Sequence, residues 1–212
     1  MLMAWQRRLL NNRPYFRQVF TASGSVRLDA GKYKITLVGG GGGGAGSLLS
    51  RTRAFSWAKG GVGGVVIAVV NLSSQAVLNI TVGAGGKSTG GSGTANGANG
   101  TNTIVAGVPG AVMIAGAGSG ASAWFSGYSG QGTPGAQGTN TVTGVARVIA
   151  NNANTITSTK GVAGSAGRTP SLQANTNSPN TSVGAGGDVG VRSTSFYALT
   201  GTAGYVIIET EN

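Results

Sequence analysis

The stretch KYKITLVGGGGGGAGS, residues 32–47, decides the fold. Tyr33, Ile35 and Leu37 alternate with Lys32, Lys34 and Thr36, which predicts a strand with one apolar face over residues 32–38. The strand runs straight into six consecutive glycines, residues 39–44. With no side chain to pack, a glycine run holds its place by letting other backbone approach closely and by hydrogen-bonding to it.

Working outward, the same condition recurs. The 212 residues include 41 glycines and 9% charged residues, yet 40% are hydrophobic, so a folded core is expected rather than a disordered low-complexity chain. At roughly 0.5 to 1 kcal/mol each against alanine, the glycines cost at most on the order of 20 to 40 kcal/mol, which packed structure has to offset. The length fits one continuous body.

Alternation predicts further strands over residues 17–22, 25–29, 65–72, 76–82, 141–149 and 205–208, with short apolar stretches at 103–105 and 111–114. The three-residue connection at 73–75 reads as a hairpin joining 65–72 to 76–82. Residues 48–59 read as a short helix or an exposed loop. Glycine runs also admit an extended helix of three residues per turn, in which six residues at about 3.1 Å span roughly 19 Å, the length of a typical strand. Strands and glycine rods can therefore share one sandwich, whereas the strict third-residue glycine period of collagen is missing. The expected fold is all-β: a glycine-rich, β-sandwich-like frame of short strands interleaved with polyglycine-II helices. This body covers residues 21–212, with a loop-rich excursion over 121–200. Residues 1–20 contain no glycine. Leu2, Trp5 and Leu9 fall at helical spacing until Pro14 ends the pattern, so a short helix is expected there, either docking on a partner through Leu2, Trp5, Leu9 and Leu10 or capping the β core.

The formal charge of +11 favours a polyanionic partner. The basic residues are dispersed, with Arg7, Arg8, Arg13 and Arg17 the main concentration, and no RNA-binding aromatic signature is present, so nucleic acid is not expected. Zero cysteines remove disulfides and thiolate metal sites. The longest apolar run, residues 65–70, is too short to span a bilayer, and no membrane insertion is expected. Arg7 and Arg8 interrupt the first apolar residues before a signal-peptide core forms, so no secretory leader is expected.

Catalytic motifs are near misses. TVGAGGKS, residues 81–88, approaches a phosphate-cradling loop, but Thr81 stands where its first glycine belongs and the glycine-rich residues after it cannot make the required helix. Gly39, Gly41 and Gly44 satisfy a dinucleotide fingerprint that any glycine run would satisfy, and no acid follows until Asp188. Ser56 and Lys59 match a serine acyl-enzyme spacing without its companion motifs. Histidine is absent, which removes imidazole bases, triads and metal sites together. Glu209 and Glu211, two apart at what reads as a frayed terminus, are the candidate carboxylate pair. Neither an enzyme nor a cofactor is expected.

What remains is a set of large rings in glycine-rich loops: Phe55, Trp57, Trp124, Phe125, Tyr128, Phe196 and Tyr197, with Arg51, Arg53 and Lys59 beside the first two. Such rings either plug the ends of a core or form an exposed recognition surface.

Five segments in order, FTASGSVRLDAGKYKITLVGGGGGG (20–44), GGVGGVVIAVVNL (60–72), LNITVGAGG (78–86), AVMIAGAGSG (111–120) and GTAGYVIIE (201–209), carry a family resemblance. Together they resemble the glycine-rich domain of bacteriophage tail-fibre proteins and distal tail-fibre adhesins, over roughly residues 19–120 and 201–209. The resemblance implies a strand frame with packed polyglycine-II helices, located in the virion tail or tail fibre. Its connecting loops would bind a receptor on the bacterial surface, and the charge of +11 together with the aromatic loops makes lipopolysaccharide, or an outer-membrane protein embedded in it, the expected one. By the resemblance, the recognition loops are 48–59, 121–131 and 193–199. The net charge and the aromatic loops, rather than the resemblance, make the basic and aromatic residues above the expected receptor-binding positions, and the glycine-free, apolar and basic character of residues 1–20 makes them the expected docking segment for another phage tail or fibre protein. The chain departs from the pattern over 139–182, where Asn, Thr and Ser replace long glycine runs. The competing expectation is a non-catalytic structural virion component, a fibre cap, connector or decoration protein, with buried rings and an inert surface.

Overall fold

A computed structural model describes residues 15–49, 54–88, 94–126, 129–133, 135–153, 189–192, 195–198 and 200–211. These residues are all-β, with two principal antiparallel sheets and no helix. In chain order the strands are β1 (Arg17–Phe20), β2 (Gly24–Leu28), β3 (Gly31–Val38), β4 (Ala45–Leu49), β5 (Ala54–Ala58) and β6 (Gly64–Leu72). They continue with β7 (Ala76–Thr81), β8 (Thr94–Ala95), β9 (Thr103–Ala106), β10 (Val112–Ala115), β11 (Ser122–Ser126) and β12 (Ser129–Thr133). The last five are β13 (Thr141–Thr143), β14 (Arg147–Ala153), β15 (Val189–Arg192), β16 (Ser195–Ala198) and β17 (Tyr205–Thr210).

The first sheet has the order β1-β17-β3-β6-β14 and the second β13-β10-β9-β7-β2. The alternation in β3 does what it predicts: Tyr33, Ile35 and Leu37 are buried between the sheets, while Lys32 is exposed and Lys34 half-buried on the other face. Val66, Ala68, Val70, Val206 and Ile208 extend that face along the first sheet, and Leu28, Leu78, Ile80, Val105, Met113 and Ala115 meet it from the second. Each fully buried aliphatic side chain stabilises by roughly 1.5–3 kcal/mol relative to exposure, so this contact is the main core.

Two expectations are corrected here. Strands β6 and β7 do not form a hairpin. The turn at 73–75 carries the chain from the first sheet into the second, because both edges of β6 are taken by β3 and β14 and both edges of β7 by β2 and β9. Residues 48–59, expected as a helix or loop, are mostly strand: β4 and β5 pair antiparallel from Ala45↔Ala58 to Leu49↔Ala54. Residues 141–153, inside the stretch read as an excursion, supply an outer strand to each principal sheet. Residues 17–20, at the end of the glycine-free segment, form the edge strand of the first sheet against β17. The remainder of the expected amino-terminal helix lies outside the described residues.

Beyond the sandwich lies a layer of extended backbone. Seven segments, 39–44, 59–63, 82–88, 96–102, 116–121, 135–140 and 200–204, each lead between the sandwich and a second group of strands on the far side. They are joined sideways by backbone hydrogen bonds with a three-residue recurrence. Gly39 and Gly42 donate to the carbonyls of Gly64 and Gly61 at 2.9 and 2.8 Å, Gly40 and Gly43 to those of Thr101 and Ala98 at 3.1 and 2.9 Å, and Gly41 to that of Thr202 at 2.9 Å. In return the carbonyls of Gly40 and Gly43 accept from Gly118 and Ala121, and that of Gly41 from Gly86.

The hexaglycine is thus the central member, with neighbours on every side, and all six residues are buried. A Cβ at Gly40 would lie 2.1 Å from the Ala84 carbonyl oxygen, and one at Gly42 would lie 1.9 Å from that of Ser119. An outer member has one free direction, and side chains occupy it. In 60–64, Gly60 and Gly63 abut the hexaglycine and Gly61 abuts Ala136, while Val62 stands at the remaining position.

Candidate functional site

The strands beyond the glycine layer form three hairpins. β4 and β5 make the first, with β8 added on β4 through Gly46↔Ala95 and Ser47↔Thr94. β11 and β12 make the second, paired from Ser122↔Thr133 to Ser126↔Ser129, and β15 and β16 the third, from Val189↔Ala198 to Arg192↔Ser195. They converge: β11 lies against β4 and β5, β12 against β5, and β16 against β4. A second small core of Ala45, Ala58, Ala121 and Ala123, each at most 2% exposed, joins the first two at their roots. All four positions are alanine, so this core is small and its side chains add little volume between the strands.

Six of the aromatic positions singled out by sequence are brought to this one end: Phe55 and Trp57 on β5, Trp124 and Phe125 on β11, Phe196 and Tyr197 on β16. In register, Trp57 stands opposite Gly46, Trp124 opposite Gln131 and Tyr197 opposite Gly190. Lys59 follows β5 directly, and its carbonyl accepts from the Gly135 amide at 2.9 Å. Arg51, Arg53 and Tyr128, together with Leu2, Trp5, Leu9 and Leu10, lie outside the described residues. The chain enters and leaves at the opposite end. Phe16 exchanges hydrogen bonds with Thr210, its amide donating to Thr210 Oγ1 at 3.1 Å and its carbonyl accepting from the Thr210 amide at 3.0 Å.

The near-miss motifs have structural employment. Along 81–88 the amides of Val82, Gly83, Ala84 and Gly86 donate to Ser23 Oγ, Thr103 Oγ1, Thr101 Oγ1 and the Gly41 carbonyl, so none of these four is free to cradle phosphate. The carboxylate pair is not at a frayed terminus, because β17 lies between β1 and β3. Glu209 stands in register with Arg17 on one side and Lys34 on the other. Its carboxylate accepts a short hydrogen bond from the Lys34 ammonium and another from the Tyr15 hydroxyl at 3.1 Å, with the Arg17 guanidinium 3.8 Å away. Glu211 pairs instead with Arg147 at 2.7 Å.

The hydrogen bond from Lys34 is the largest influence holding the Glu209 carboxyl below its ordinary range, opposed by desolvation and aided by Tyr15 and Arg17. A depressed folded-state value means that the stabilisation is present above the unfolded carboxylate range and is lost as pH falls through the folded value. Glu209→Gln should therefore lower stability at neutral pH by about 0.2–1 kcal/mol, as for a solvent-screened surface pair. The difference from wild type should close on acidification below the ordinary carboxylate range, read by thermal unfolding across pH. A gap that persists unchanged at the acid end would mean that packing, not charge, is lost.

One device was missed by sequence reading. Asn96, Asn99 and Asn102 recur every three residues, and their Oδ1 atoms accept from the amides of Ala123 at 3.2 Å, Gly120 at 2.8 Å and Ala117 at 2.8 Å. On this side of 116–123 the side chains complete hydrogen bonding that a further rod would supply. The signal was present as N-x-x-N-x-x-N, but it becomes readable once a three-residue period is known.

The fold and this end of it define a class: a two-sheet body, a hydrogen-bonded glycine layer and a cluster of hairpins. The chain belongs to the family of glycine-rich domains, whose description matches residues 20–211. No curated protein matches it.

Proposed function

We propose that this chain is the receptor-binding tip of a bacteriophage tail fibre, with a glycine layer built of polyglycine-II helices. The three-residue recurrence of hydrogen-bond partners supports the helices, since a threefold rod turns every third residue toward the same neighbour. The observation that carries the function is the convergence of three hairpins bearing six large aromatic positions at one end of the body. Loops on a rigid scaffold are where recognition is usually placed, and aromatic side chains supply contact area at low entropic cost. The opposite end, where residues 15 and 211 lie, leads to the segment proposed to dock on another tail or fibre protein through Leu2, Trp5, Leu9 and Leu10.

The formal charge of +11 supports an anionic partner, and along the sequence no acidic residue occurs from 30 to 187, a stretch that includes Lys59 and Lys87 of the glycine layer. Such a chain attracts an anionic surface such as lipopolysaccharide, alone or around an outer-membrane protein, over the roughly 8 Å that physiological salt permits.

The test is binding of labelled protein to a panel of Gram-negative strains across a salt series. Binding confined to some strains and retained at high salt is expected. Replacing Arg51, Arg53 and Lys59 by neutral residues should slow association and flatten its salt dependence, while Trp124→Ala should speed dissociation by about tenfold or more, the scale of an aromatic hot spot. Equal binding to every strain that vanishes at high salt would reduce the protein to a nonspecific polycation.

A further inference from the structure

The asparagine ladder contains a chemical liability. Asn96 and Asn99 are each followed by glycine, and these are the two Asn-Gly pairs in the chain. In such a pair the glycine nitrogen, losing its proton to water or hydroxide, attacks the asparagine Cγ. A C–N bond forms, the Cγ–Nδ2 bond breaks and ammonia leaves. Water then opens the five-membered imide to aspartate or isoaspartate. Glycine favours the reaction because no side chain obstructs the ring closure, and all three ladder asparagines are exposed to solvent.

Here both reacting groups are held by the same neighbouring rod. The Gly97 amide donates to the Ala121 carbonyl at 2.9 Å while Asn96 Oδ1 accepts from Ala123. The Gly100 amide donates to the Gly118 carbonyl at 3.0 Å while Asn99 Oδ1 accepts from Gly120. Attack requires the glycine nitrogen to give up its proton and its bond to 118–121, and the side-chain amide to swing away from 120–123. From the other side, a Cβ at Gly97 would lie 1.9 Å from the Gly43 carbonyl oxygen, so the rod has no room to twist in place.

We propose that Asn96-Gly97 and Asn99-Gly100 form a gated deamidation site, closed while the rod 96–102 lies against 117–123 and opened when that edge separates. Conversion to isoaspartate inserts an extra backbone atom, which shifts the rod out of its three-residue register. The edge then cannot re-form as before, and the modification is an irreversible record of opening. The inference rests on the hydrogen bonds of the ladder and is independent of receptor binding.

The experiment incubates the full chain at mildly alkaline pH, folded and in guanidinium, and follows both pairs by peptide mapping with isoaspartate detection. Both should convert in denaturant and at least about tenfold more slowly in the folded chain, the factor that corresponds to an opening free energy of about 1.4 kcal/mol. Conversion of either pair at equal rates in the two states overturns the gate. Asn102→Ala removes the adjoining rung, and with native circular dichroism retained it should raise conversion at Asn99 severalfold. A wild-type rate in that folded variant overturns the clamp as its cause.

Discussion

Gly42→Ala should yield no stably folded protein. Its Cβ would lie 1.9 Å from the Ser119 carbonyl oxygen and 2.3 Å from the carbon of the same group, and both are backbone atoms. No rotamer change relieves this, so one rod has to move, and the rod 116–121 is itself tied through Gly118 to Gly40, through Ser119 to Ala136 and through Ala121 to Gly43. Shifting it breaks the bonds from Gly118 to Gly40 and from Ala121 to Gly43, both between buried residues, at about 1–3 kcal/mol each. The expected loss exceeds about 4 kcal/mol, comparable with the total stability of many domains. The control is Gly110→Ala. Gly110 has a φ of +71° and nothing within 4 Å of its missing Cβ, so the backbone conformation alone is strained, at roughly 1–2 kcal/mol. Soluble yield and guanidinium unfolding of the two variants measure the contrast. If Gly42→Ala unfolds no earlier than Gly110→Ala, the glycine layer is looser than its contacts imply and the six glycines have another cause.

Thr103→Val should cost about 2–4 kcal/mol although the two side chains are nearly the same size. Thr103 is completely buried where the sandwich meets the glycine layer. Its hydroxyl donates to the Val38 carbonyl at 2.7 Å and accepts from the Gly83 amide at 2.9 Å. One side chain thereby ties the end of β3, the exit from β7 and the start of β9 at the level where strands give way to rods. Valine keeps the volume and removes both bonds, leaving a buried donor without a partner. Thr103→Ser keeps the hydroxyl and should recover most of the loss, less the effect of a missing methyl group. Equilibrium unfolding of the pair separates the terms: equal destabilisation by serine and valine would assign the residue's role to its methyl group.

Local pattern was informative wherever one residue's environment is set by its immediate neighbours. The alternation of Tyr33, Ile35 and Leu37 placed β3 and its buried face, and the absence of histidine and cysteine removed imidazole and thiolate chemistry without any structure. The glycines at 39–44 announced backbone packed against backbone. The same kind of reading failed at 73–75, where connection length suggested a hairpin. A three-residue turn permits the next strand to pair with the last or to cross to a facing sheet, and that choice depends on β3, β14, β2 and β9, which occupy the available edges.

Residues 48–59 failed for a related reason. Leu48, Leu49 and Ala54 carry no clean period, so their strands are specified by each other and by β8 rather than by propensity. The aromatic positions were legible one by one, but their placement at one end was not, because 55, 124 and 196 are distant in sequence and separate rods carry their strands to that end. What the sequence alone determined was composition turned into constraint: a β core, glycines that admit no side chain, and no histidine or thiolate for catalysis. The tertiary structure decided which rod stands in the middle. That choice explains Gly39, Gly40, Gly42 and Gly43, where a side chain would run into the backbone of neighbouring segments, and Val62 amid four glycines at 60–64, where the side chain is buried at the position between glycines that abut neighbouring backbone.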